Sequence, residues 1–125
     1  MIRLDTHVVL WLYTGDTGRL GPAVNAALDA DDDLAISPIV ELELTYLHEI
    51  GRLNVSGAQV TADLRARLGL ALSDLSMASV VAAAAALTWT RDPFDRLIVG
   101  DALAANGVLV TKDDSILEHM HLARW

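Results

Sequence analysis

The chain has 125 residues, 53% of them hydrophobic, with 17 acidic side chains against 9 basic ones and a net charge of −8. That length suits one domain with a sizeable core, and the charge argues against holding a polyanion through the overall field, because phosphate attraction needs a basic surface. The lack of cysteine excludes disulfides and thiolate metal sites, and the apolar run from Val80 to Leu87 falls far short of the roughly 18–20 residues that span a bilayer.

In chain order, Ile2 to Leu4 predicts a short strand, and Asp5, Thr6 and His7 break the apolar start before a signal peptide can form. "THVVLWLY" then predicts a helix begun by Asp5 or Thr6. Gly15 to Gly21 is rich in turn residues. "GPAVNAALDADDD" predicts a helix with Pro22 at the first helical position and apolar residues at 23, 24, 27 and 28. "LAIS" (34–37) predicts a second strand, and Ser37 with Pro38 forms an N-cap and first-turn pair for a helix ending near Gly51. A helix is expected over 57–68, a third strand over 70–73 and an alanine-rich helix over 76–88. "RDPFDRLIVGDALAAN" predicts a helix from Asp92-Pro93 to Asn106-Gly107, followed by a strand over 108–111 and a last short strand at "LARW". This alternation, without repeat, linker or boundary, predicts a single α/β domain over 1–125: a three-layer α/β/α arrangement around a central parallel sheet. Ligands of such folds bind beyond the carboxyl ends of the strands.

Two strands run straight into carboxylates at that edge. Ile2 and Leu4 lead into Asp5, and Val108, Leu109 and Val110 lead into Asp113 and Asp114. In the helix 38–50, Ile39, Tyr46, Leu47 and Ile50 make a stripe of which Glu43 is the i+4 member, whereas Glu41 aligns with Thr45, His48 and Arg52. Glu43 is therefore expected inward and Glu41 outward. An inward glutamate is costly unless paired or bound to a metal; the ordinary alternative is a boundary residue that reaches water. Asp92 reads as an N-cap. Asp95, the third helical residue, either complements the helix dipole or belongs to a site. Asp101 is a spare candidate, and Asp5 and Asp113 also fit simple roles as cap and turn residue. His7 reads as a packed histidine, and Asp29 with Asp31 to Asp33 as a solvated helix end.

Asp5, Glu43, Asp95 and Asp113 remain as acids able to converge on one sheet edge. Two charges roughly 6 Å apart repel by about 3 kcal/mol at an effective dielectric near 20. Such a cluster calls for a cation, and all-oxygen ligation favours Mg²⁺ or Mn²⁺.

"LDTHVVLWL", "ISPIVELEL", "DPFDRLIVGDAL" and "LVTKD" resemble, in order and spacing, the four acidic motifs of PIN-domain nucleases, most nearly the VapC-type toxins of toxin–antitoxin pairs. The resemblance runs along the whole chain. It implies that Asp5, Glu43, Asp95 and Asp113 are catalytic, with Asp5, Asp95 and Asp113 as metal ligands. Thr6, Ser37 and Thr111 match positions that hydrogen-bond the acids or bound water, while Asp101 falls where relatives vary. The activity implied is an Mg²⁺- or Mn²⁺-dependent endoribonuclease, cytoplasmic and homodimeric, acting on RNA and neutralised by a cognate antitoxin. Arg96, Arg91 and Lys112, next to motif residues, are the expected phosphate contacts.

Several rivals share parts of this pattern. A PIN nuclease that processes RNA without being a toxin has the same signature, and an antitoxin gene immediately upstream would separate the two. A receiver-type phosphoacceptor needs an acidic pair after the first strand, where "LDTH" offers one acid; a haloacid-dehalogenase-type phosphatase needs Asp-x-Asp, and position 7 is His. A catalytically silent acidic α/β binding module, whose acids only cap helices, is told apart by metal titration.

Overall fold

Leu4, Leu34, Ala35, Ile36, Leu109 and Val110 are all buried, as residues of parallel strands covered on both faces must be. In the computed structural model, which describes residues 1–125, they lie in β1 (Ile2–Leu4), β2 (Leu34–Ile36) and β4 (Leu109–Val110). With β3 (Ala71–Leu72) and β5 (Ala123–Arg124) these form a five-stranded sheet in the order β3-β2-β1-β4-β5, every neighbouring pair parallel. The helices between them are α1 (Thr6–Thr14), α2 (Pro22–Asp29), α3 (Pro38–Glu49), α4 (Gly57–Leu68), α5 (Met77–Ala85), α6 (Pro93–Ala104) and α7 (Asp114–His119). No helix is long and apolar enough to cross a membrane.

The first two crossovers step from β1 to β2 to β3, and the third returns past both to place β4 on the other side of β1. Right-handed crossovers then put α1 to α4 on one face and α5 to α7 on the other, giving three layers. The direction of winding reverses between β1 and β4. In open parallel sheets this switch point leaves a crevice beyond the carboxyl ends of the two strands.

β1 also carries a charge into the interior. Arg3 Nε donates to Asp101 Oδ1 at 2.8 Å, and both side chains are buried. The pair ties the middle of β1 to α6. Asp101 thus has a structural partner that its sequence context did not suggest.

Two expectations from the helical patterns need correction. The core face of α3 is Val40 and Leu44, both fully buried, while Tyr46 and Ile50 are about half exposed. The inward face is rotated by about one residue's step from the stripe through Ile39 and Ile50. The cause is packing against α4, whose first residue, Gly57, lies so close that a Cβ there would meet the Glu41 carbonyl at 2.2 Å and the Thr45 hydroxyl at 2.7 Å. Glu41 is consequently half-buried beside α4 instead of turned out to solvent, and Glu43 flanks the core on the opposite side. The second correction is α7: the segment after β4 is a short helix capped by Asp113, not only a turn.

Candidate active site

The crevice between β1 and β4 is where the acids gather. Asp5 directly follows β1 and caps α1, its Oδ1 accepting the N–H of Thr6 at 2.8 Å. Its Oδ2 accepts the hydroxyl of Thr111, just past β4, at 2.6 Å. The same Thr111 oxygen accepts the N–H of Asp113 at 3.0 Å, and Asp113 caps α7 through the N–H of Ile116 at 2.9 Å. Glu43 reaches across from α3 and accepts the hydroxyl of Thr6. Asp95 sits in the first turn of α6, where Asp92 caps the helix by accepting the N–H groups of Phe94 at 2.8 Å and Asp95 at 3.1 Å. Capping and site formation are thus compatible here, because helices α1, α6 and α7 all begin at this edge. Their amino-terminal dipoles offset part of the negative charge.

Asp5, Glu43, Asp92, Asp95 and Asp113 line one cavity of about 430 Å³. Burial raises the pKa of Asp5, and the charge of Asp113 adds to the rise against the opposing hydrogen bonds from Thr111 and Thr6. Glu43 is raised by burial and then by Asp5 and Asp92, with the Thr6 hydrogen bond opposing. Asp95 is pushed from 3.8 to about 7, first by burial and then by the charges of Asp92, Asp5, Asp113 and Glu43. No three of these carboxylates stand close enough together to form a ready-made metal shell. An all-oxygen donor set of this charge fits a hard divalent cation, whose charge would oppose the part of the Asp95 rise that comes from its acidic neighbours.

The other candidates divide. Thr6 and Thr111 are buried and hold acids directly. Ser37 is buried but faces away, capping α3 through the N–H of Ile39 at 3.3 Å and lining an apolar recess with Leu75, Val80 and Asp101. Arg96 is turned from the acids and donates to the carbonyls of Ala84 and Ala85 at 3.2 Å each, closing the end of α5. Arg91 is exposed and outside the cavity wall, whereas Lys112 is part of it. Asp92, His7 and Trp11 also line the cavity. The sequence signal for the last two was their position on α1: one turn apart, on the helix that starts at Asp5.

The PIN-domain family model matches residues 2–121. Ribonuclease VapC22 of Mycobacterium tuberculosis is 33% identical to this chain, across 96% of it and 92% of that protein. Among solved structures, VapBC2 from Rickettsia felis bound to a DNA fragment from its promoter superposes with a TM-score of 0.68 at 22% identity, covering 99% of this chain and 98% of that one. A toxin–antitoxin complex from Klebsiella pneumoniae gives a TM-score of 0.67 at 16% identity, covering 100% and 97%. The structural likenesses establish the fold.

Proposed function

This chain belongs to the PIN-domain family, and from that premise we propose that it is a metal-dependent endoribonuclease, a VapC-type toxin whose residues 1–125 form a single domain. The observation that carries the reading is the convergence of Asp5, Glu43, Asp95 and Asp113, from four separate segments, on one cavity. Hydrolysis of a phosphodiester needs a water activated at phosphorus and a departing oxygen relieved of its charge. Mg²⁺ or Mn²⁺, when bound, supplies both by acidifying water and neutralising phosphate oxygens. Asp5, Asp95 and Asp113 would hold the ion. Thr111 fixes Asp5 and the backbone of Asp113 in register for that task. Glu43, oriented by Thr6 and with its proton affinity raised, is suited to take the proton of the attacking water. Lys112 is the phosphate contact this geometry supports, in preference to Arg91 and Arg96.

A hydrolytic site at an open sheet edge calls for restraint. The named neighbours are toxin–antitoxin complexes, and a cognate antitoxin acting in the cytoplasm is the corresponding partner here. Leu42 and Tyr46 on α3, Ile50 at its carboxyl end, and Met77 and Val81 on α5 are exposed apolar side chains, a surface suited to the antitoxin and to a homodimer. The test is expression of the chain alone, and together with its upstream neighbour, with growth and the RNA pool followed in parallel. Growth arrest with RNA cleavage is expected from the wild type alone, with growth restored by Asp95→Asn or by the neighbour. RNA cleavage in extract without growth arrest would replace the toxin reading with a processing nuclease. No cleavage with Mg²⁺ or Mn²⁺ would sink both.

A further inference from the structure

The wall of the acidic cavity contains one hydrophobic residue, Trp11. Its ring is half-buried and firmly braced. Trp125 meets it edge-on, with centroids 5.8 Å apart and planes at 69°. Trp125 is itself held, because its carbonyl accepts the N–H of Ala23 at 3.1 Å and its ring fills the space beside Gly21, where a Cβ would lie 2.6 Å away. Three basic groups surround Trp11 in a chain of net charge −8. Lys112 Nζ lies 5.9 Å from its centroid and 5.6 Å from that of Trp125; the Arg19 guanidinium is 5.9 Å away and the His7 ring 6.0 Å. These distances are at the outer limit of cation–π attraction, about 6 Å. All three side chains are exposed, so they can swing aside without breaking a buried contact.

We propose that Trp11 is a stacking platform for an unpaired RNA base adjacent to the phosphodiester held at the carboxylates, with Lys112 and Arg19 taking the flanking phosphates. This rests on the ribonuclease reading and adds where the substrate gains its affinity. The carboxylates repel RNA, so attraction has to come from elsewhere along the strand. An aromatic face supplies it without regard to base identity, and nearby cations meet the backbone on either side. A base locked in a duplex cannot turn its face to Trp11, so the site selects single strands. A tryptophan that only filled the core would have no use for two cationic side chains over its ring.

The test uses the Asp95→Asn chain with Mg²⁺, which should bind RNA without cutting it, and a labelled single-stranded RNA of mixed sequence. Adding Trp11→Leu should weaken binding about tenfold, while Trp11→Phe, which keeps an aromatic face, should stay within about threefold. The same sequence as a duplex should bind more weakly than the single strand. The Mn²⁺-induced rise in melting temperature, measured in chains retaining Asp95, should be unaltered by Trp11→Leu, because the acids are untouched. Should the leucine variant fail to fold, Trp11→Met keeps a flexible apolar side chain and serves in its place. Unchanged affinity in Trp11→Leu, equal losses in the leucine and phenylalanine variants, or equal binding of duplex and single strand would overturn the platform alone. A parent chain that binds no RNA would overturn it together with the ribonuclease reading.

Discussion

Thr111 donates its hydroxyl to Asp5 Oδ2 at 2.6 Å, joining the ends of β1 and β4, while the same oxygen receives the N–H of Asp113 at 3.0 Å. One buried side chain therefore sets the spacing of two candidate ligands from opposite ends of the sequence. Thr111→Val keeps the shape and removes the donor. Hydrogen bonds to charged groups contribute about 1.5–3 kcal/mol, so the variant should melt lower, lose most of its cleavage activity and respond less to Mn²⁺. Thr111→Ser should keep all three properties. Calorimetry and cleavage assays on the two variants check this; equal behaviour of valine and serine would remove the hydroxyl from the account.

The stability of the metal-free chain should fall with rising pH. Asp95 is raised from 3.8 to about 7 in the folded state, so folding favours its protonated form. Below about pH 4 the group is protonated in both states and costs nothing. Between about 4 and 7 the unfolded chain loses the proton while the folded chain keeps it, and stability declines; above about 7 the penalty is constant. Asp5 and Glu43, also raised, act in the same direction. Mn²⁺ should lift the melting temperature much more at pH 8 than at pH 5, and Asp95→Asn should flatten the metal-free profile. A melting temperature that rises from pH 4 to pH 7 would contradict this charge balance.

Glu43→Gln should abolish metal-dependent RNA cleavage and leave the fold intact, since the Thr6 hydroxyl can still donate to the amide oxygen. Glu41→Gln should retain most activity, because Glu41 lies beside α4 and outside the cavity wall. Cleavage assays after thermal melts of both variants decide it, and equal losses would break the assignment of Glu43.

Arg3→Met leaves Asp101 buried without its partner and should destabilise the chain by about 3–5 kcal/mol. Replacing both members, Arg3→Met with Asp101→Leu, should recover most of that loss, because the desolvation of two charges disappears with them. Denaturant titration of the single and double variants measures it. A double variant no more stable than the single would mean the pair holds α6 on β1 in a way apolar packing cannot reproduce.

Much of the fold was legible in the sequence because its signals are local. Ser37-Pro38 and Asp92-Pro93 announce helix starts through backbone groups only two or three residues away, and short runs of buried residues mark β1, β2 and β4. The four acids of the motifs could likewise be named from their position after strands or within the first two turns of helices. Which side chains meet was decided by packing. Val40 and Leu44 are the core face of α3 because α4 presses against Glu41 and Thr45. Asp92 joins the acidic cavity while Arg96, one residue beyond Asp95, is drawn to the open carbonyls of α5. Trp125 braces Trp11 across nearly the whole sequence. A cap or a period is fixed within one turn of chain, so the sequence alone determined it. The direction of a side chain at an element's edge depends on which neighbour satisfies its charge or fills its space, and only the tertiary structure supplies that neighbour.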